Sequence, residues 1–168
     1  MDHDFFDVPD DLWKRIEPLL PRERPKPKGG RPRVPDRVAM AGILYRVRTG
    51  CQWKALPSEF GAGSTCHLRM MQWVRAAVFP RIHKELLRHY EKRRGIKWDF
   101  ASLDSAMAKA PKGGATRGRP RRWVVERTNS WHNGLRGLLV RWERMAANYL
   151  AMLQLACRLI AFQQCHGW

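Results

Sequence analysis

Apolar residues recur at helical spacing in several separate stretches of the chain, and proline and glycine mark the gaps between them. Pro9-Asp10-Asp11 opens a first helix predicted to reach about Leu20, with Leu12, Ile16 and Leu19 or Leu20 on one face. The aspartates suit a helix start, where free N–H groups and the positive end of the dipole lie. Pro18 falls in the last turn and Pro21 ends the helix. A second helix spans Asp36 to Thr49, with Val38, Ala41, Leu44 or Tyr45 among its apolar positions and Gly50 as the residue that closes it. A loop follows in which Trp53, Leu56 and Phe60 are candidate core anchors. Gly63-Ser64-Thr65 reads as the N-cap of a third helix to about Ala77, its apolar set Leu68, Met70 or Met71, and Val74. A fourth covers Phe79 to Arg94, with Ile82, Leu86, Leu87 and Tyr90 inside and Gly95 at its end. Trp98 to Ser105 changes character and reads as a short strand. Another helix is predicted from near Arg122 to about Leu135, weakened at its end by Gly134 and Gly137. The last, Met145 to Gln164, has so wide an apolar arc that burial on most sides is expected.

Two segments break this helical pattern. Residues 21–35, PRERPKPKGGRPRVP, hold five prolines and two glycines, which rules out helix or central strand and leaves an extended basic arm. Residues 107–122 form a second linker of the same kind. The string GRPR occurs in both, at 30–33 and 118–121, and resembles the core of the AT-hook. An extended Arg-Pro-Arg segment is narrow enough for the minor groove, whose negative potential attracts arginine. Phosphate contact by Arg31, Arg33, Arg119, Arg121 and Arg122 needs only charge and reach.

Composition sharpens this picture. The 168 residues suit one domain or a small domain with an appendage. Hydrophobic residues make up 44%, so a packed core is within reach. A net charge of +17 points to a polyanionic partner, with DNA, RNA and anionic lipid as candidates. Lipid is the weakest of these, because the longest apolar run, Tyr149 to Phe162, is interrupted by Gln154 and Arg158 and is too short to span a bilayer. The acidic start MDHDFFDVPDD does not read as a signal peptide, so a cytoplasmic protein is expected. The cysteines at 51, 66, 157 and 165 lack zinc-ligand spacing and read as reduced, partly buried thiols.

Helices two to four, with the tight Gly50–Gly63 segment, suggest a helix-turn-helix-like unit. Its third helix would enter the major groove and bring His67, Arg69 and Gln72 to base edges. The competing reading is an ordinary helical core with solvated charges. Chemistry beyond binding rests on two acids, Asp104 on the predicted strand and Glu126 in the arginine-rich RRWVVERT. Two-metal phosphoryl transfer uses clustered carboxylates, usually three. Residues 105–125, 21 in all, contain no acid, and Asp99 lies at an odd separation that sends it to the other face of a strand.

Two long blocks carry a resemblance to a known family. The first runs from LWKRIEPLLP through GGRPRVPDRVAMAGILYRVRTGCQWKALPSEFG to SLDSAMAKAPKGG. The second is RRWVVERTNSW with LLVRWER and NYLAMLQLACRLIAF. Together they resemble bacterial insertion-sequence transposases of the DDE type, of the insertion-sequence-five kind. The resemblance implies that Asp104 is the first catalytic acid and Glu126 the last, both ligands of Mg²⁺. It also implies that Arg122 and Glu126 keep an Arg-x-x-x-Glu pattern, whereas Arg119 and Asn133 stand where the family carries Tyr and Lys. The family places most of a ribonuclease-H-like sheet and a second Asp between the two blocks. Twenty-one residues cannot supply it, so the central catalytic segment reads as deleted, with a junction near Thr116 to Arg121.

The expected fold is therefore mainly α: a helix-turn-helix-like DNA-binding bundle over 1–95, and over 96–168 a remnant of a ribonuclease-H-like catalytic domain, one short strand plus C-terminal helices. The expected function is transposase-family binding of double-stranded DNA at terminal inverted repeats, near the nucleoid. Catalysis is expected to be impaired and Mg²⁺ not productively held. A second copy or the intact transposase is the expected protein partner. Two other readings stay open: an active minimal transposase completing its metal site across subunits, and a decayed fragment without a role.

Overall fold

The computed structural model describes residues 7–22, 32–96, 130–140 and 142–166. Helix α1 covers Asp10–Ile16 and tightens into a 3-10 turn at Glu17–Leu19, where Pro18 cannot donate to the preceding turn. Helix α2 is Asp36–Thr49, closed by Gly50 in the left-handed conformation (φ 70°) with its N–H on the Arg46 carbonyl at 2.9 Å. Two further 3-10 turns, Trp53–Ala55 and Ser58–Phe60, lead into α3, Gly63–Arg75, whose cap is Ala62, so the expected cap residues Gly63-Ser64-Thr65 form its first turn instead. Ala76 and Ala77 then reverse the chain into α4, Val78–Arg94. A helical turn at 130–133 precedes the short α5, Arg136–Leu139, and α6 runs over Ala146–His166. No strand occurs among the described residues; the predicted strand at Trp98 to Ser105, the second linker and most of the helix predicted from Arg122 lie outside them.

These helices share one apolar cluster. Leu12 and Ile16 of α1, Met40, Leu44 and Val47 of α2, and Met70 and Trp73 of α3 meet Phe79, Ile82 and Leu86 of α4. Leu155, Leu159 and Phe162 of α6 enter the same cluster, so the C-terminal helix is part of the core that the first four helices build. Burying each such side chain stabilises the fold by about 1.5–3 kcal/mol. The most extensive pairing is α4 with α6. His83 meets Arg158, and farther along both helices His89 meets His166, so the two run in the same direction.

Two helices differ in rotation from the expectation. In α3 the inward stripe is Cys66, Met70 and Trp73, while Leu68, expected inside, is 56% exposed. The two stripes compete on one helix, and the one carrying Trp73 wins because it removes more apolar area from water. In α6 the buried stripe is Asn148, Ala151, Met152, Leu155, Ala156, Leu159 and Phe162. Leu150 is exposed and Leu153, Cys157 and Ile160 are half-buried, so the stripe expected inside lies beside the one that is fully buried.

Close approach fixes two glycines. A Cβ on Gly63 would overlap the Trp53 carbonyl, so the loop can fold under the start of α3 only with glycine there. A Cβ on Gly137 would lie 2.7 Å and 2.8 Å from the Arg46 and Val47 carbonyl oxygens, which is how α5 seats on the end of α2.

Candidate nucleic-acid interface

The outer side of α3 is a stripe of exposed residues, Ser64, Leu68, Gln72 and Arg75, opposite the Cys66–Met70–Trp73 stripe. The end of the basic arm lies against it. Arg33 donates through Nη2 to Gln72 Oε1 at 3.1 Å. The sequence offered Arg33 and Gln72 as unrelated candidates, 39 positions apart, and the fold puts them in one place.

Arg69 performs the join. It is 2% exposed and turned inward. One Nη is ion-paired with Asp36 at the start of α2, and the other donates to the Val34 carbonyl at 3.2 Å. Its guanidinium also lies 5.9 Å from the centre of the Trp73 ring. This arginine is committed to protein partners, so it clamps the arm and α2 onto α3 and does not project toward a ligand. His67 is half-buried and stacks on Trp53 at 5.1 Å, with the rings 22° apart.

Beneath Trp53 sits a buried ion pair. Arg46, 2% exposed, meets Glu143 at 2.9 Å. Glu143 also accepts from Trp53 Nε1 at 3.1 Å and Asn148 Nδ2 at 3.2 Å. The Arg46 guanidinium lies 4.5 Å over the Trp53 ring. Burial lowers the Arg46 pKa and Glu143 opposes that shift. Arg48, two residues on, is pushed down to about 10 by burial alone. A buried charge is tolerable when an opposite charge this close meets it. Sequence reading overlooked this network. Its only signal was Arg46 on the apolar side of α2 and a lone acid, Glu143, between two arginines.

A second basic surface was also overlooked. Arg81, Lys84, Arg88 and Lys92 fall on one outward stripe of α4, opposite Ile82, Leu86 and His89. Glu85 partly neutralises it through Arg88 at 2.7 Å.

Of the remaining candidates, Arg31, Arg119, Arg121, Arg122 and both acids, Asp104 and Glu126, lie outside the described residues. Among the described residues, no three His, Cys, Asp or Glu side chains are grouped to hold a metal ion, and no helix is long and apolar enough to cross a membrane. All four cysteines are free thiols, and burial raises the pKa of Cys66 and Cys157.

Comparison with known proteins adds to this geometry. Residues 8–83 match the family model described as "Putative transposase of IS4/5 family". The matched span runs from Val8, at the foot of α1, into the first turns of α4, and so contains the arm, the Arg69 clamp and all of α3. The chain is 37% identical over 116 residues to "Insertion element IS402 uncharacterized 16.2 kDa protein" of Burkholderia cepacia, covering 67% of this chain and 79% of that one. It is 27% identical over 121 residues to "Uncharacterized protein y4sN" of Sinorhizobium fredii, covering 68% and 90% respectively. No solved structure matches.

Proposed function

Because the chain belongs to the IS4/5 transposase family of insertion sequences, we propose that it binds double-stranded DNA at the terminal inverted repeats of its element and acts there without competent catalysis of its own. The observation that carries this is the meeting of Arg33, from a basic arm, with Gln72 on the outer face of α3, in a chain of net charge +17. An arm that tracks phosphates beside a helix that reads base edges is a common division of labour in DNA recognition. In this reading Gln72 and His67 read bases, Arg33 and the other arm arginines hold phosphates, and Arg69 sets the angle between arm and helix. The basic stripe of α4 supplies further phosphate contacts.

The catalytic part of the reading rests on counting. Asp104 and Glu126 are two of the three acids that the family resemblance calls for, and no acid lies between them. Mg²⁺ is seldom held by one or two carboxylates without substrate phosphates. The arginines at 121, 122 and 127 would also compete for Glu126.

The test is a titration of the chain against a duplex carrying the ends of its element and against a shuffled duplex, with and without Mg²⁺ or Mn²⁺. Preferential binding without nicking is expected. Equal binding to both duplexes sinks the repeat-binding reading. Nicking that disappears in Asp104→Asn and Glu126→Gln restores an active enzyme.

A further inference from the structure

A cleft of about 450 Å³ opens beside α3, between the turn at Trp53 and the segment leading into α6. Its floor is the Arg46–Glu143 pair with Asn148. Among the described residues that line it, Glu143 is the one acid, and Arg46 already neutralises it. The rim carries two exposed cations, Lys54 and Arg144. One wall is apolar and open to solvent: Trp142 is 48% exposed and Met145 is 55% exposed. The indole is fixed in place, because its Nε1 donates to the Gly50 carbonyl at 3.0 Å.

The chemistry of this lining selects its occupant. A fixed, half-exposed indole offers a flat stacking surface, and the rim offers positive charge. A second copy of a chain of charge +17 would bring more cations to a rim that is already cationic. A nucleotide brings a base for the indole and phosphates for the rim. Bases inside a duplex are stacked on both sides, so away from a duplex end the nucleotide that offers its face is an unpaired one. We propose that this cleft holds an unpaired nucleotide of bound DNA, its base stacked on Trp142 and its flanking phosphates on Lys54 and Arg144. The proposal rests on the DNA-binding reading above and adds a ligand class, single-stranded DNA, in a cleft that adjoins the outer face of α3 at His67.

The experiment compares a blunt duplex with the same duplex bearing a three-nucleotide single-stranded overhang that contains 2-aminopurine. The overhang is expected to tighten binding about tenfold, the usual scale for one stacked base, and its fluorescence to be quenched on binding. Trp142→Ala should abolish the gain and the quenching while leaving blunt-duplex affinity unchanged, and Trp142→Phe should keep most of both. Quenching by the unaltered chain is a readout independent of how well any variant folds. Equal affinity for the two duplexes, or quenching that survives in Trp142→Ala, overturns the cleft assignment and leaves duplex binding standing. Failure to bind either duplex overturns both. A dimer that Trp142→Ala converts to monomer, with overhang preference intact, would hand the cleft to a second copy and overturn the proposal.

Discussion

Arg46 and Arg69 are each 2% exposed, yet they face different partners and should respond differently to substitution. Arg46 is balanced by Glu143, which draws three donors in all. Removing one member of such a pair strands the other charge in the core. Glu143→Leu should therefore lower unfolding free energy by about 3–5 kcal/mol, whereas the double change with Arg46→Met should recover much of that loss. Chemical denaturation of the three proteins checks this, and a double variant as unstable as the single one would refute it. Arg69 pairs with the half-exposed Asp36 and acts across elements. Its loss should show less in stability than in the placement of the arm.

At the scale of elements, the pairing of α4 with α6 carries a pH dependence. His83 accepts from Arg158 Nε at 3.0 Å, and His89 stands 3.0 Å from His166, with its ring tilted beside Phe162. Burial, then Arg158, holds the His83 pKa below its usual value of 6.5. Burial, followed by Arg15 of α1, His166 of α6 and Arg93, does the same to His89, against a smaller opposing pull from Glu85. A histidine whose folded pKa is depressed takes up more protons when unfolded, so stability rises with pH across that window. The melting temperature should hold above about pH 7 and fall as pH drops through about 6.5 and below. His83→Gln and His89→Gln together should flatten that decline, and an unchanged profile in the double variant would count against the histidines. A separate element-scale test concerns α5. Gly137→Ala would drive a methyl group into the Arg46 and Val47 carbonyls, backbone that cannot swing aside. A loss of about 1–3 kcal/mol is expected, and a neutral effect would show that α5 is not seated as described.

For the whole molecule the controlling quantity is charge. With 32 basic against 15 acidic side chains, affinity for any duplex should fall steeply with salt. Changing Arg31, Arg33, Arg119, Arg121 and Arg122 to Ala should weaken binding to all sequences and reduce the salt slope by about one unit for each phosphate no longer neutralised. Gln72→Ala should act differently, costing about 1–3 kcal/mol of discrimination between repeat and shuffled DNA with little change in slope. The contrast between the two sets is what a titration across salt concentrations measures. Identical effects would mean that arm and helix do not divide the work.

The sequence by itself determined the helices of the N-terminal region. Prolines before a helix, acids in its first turn and closing glycines are local signals, which is why α2 runs from Asp36 to Thr49 as its flanks dictate. Charge and the GRPR strings were equally legible, because they depend on no tertiary contact. Rotation was not. On α3 the periodicity pointed to a stripe through Leu68 and Val74, and packing against α2 and α4 turned Cys66, Met70 and Trp73 inward instead. The role of Arg69 was hidden for the same reason: a solvent-facing arginine and a clamp are the same letter until its neighbours are placed. The Arg46–Glu143 pair spans 97 positions and the Arg33–Gln72 contact 39, distances over which no sequence period persists. Local rules end at the helix surface. Which side of that surface meets water, and which distant charge a buried one finds, are settled by the competition for burial that the tertiary structure resolves.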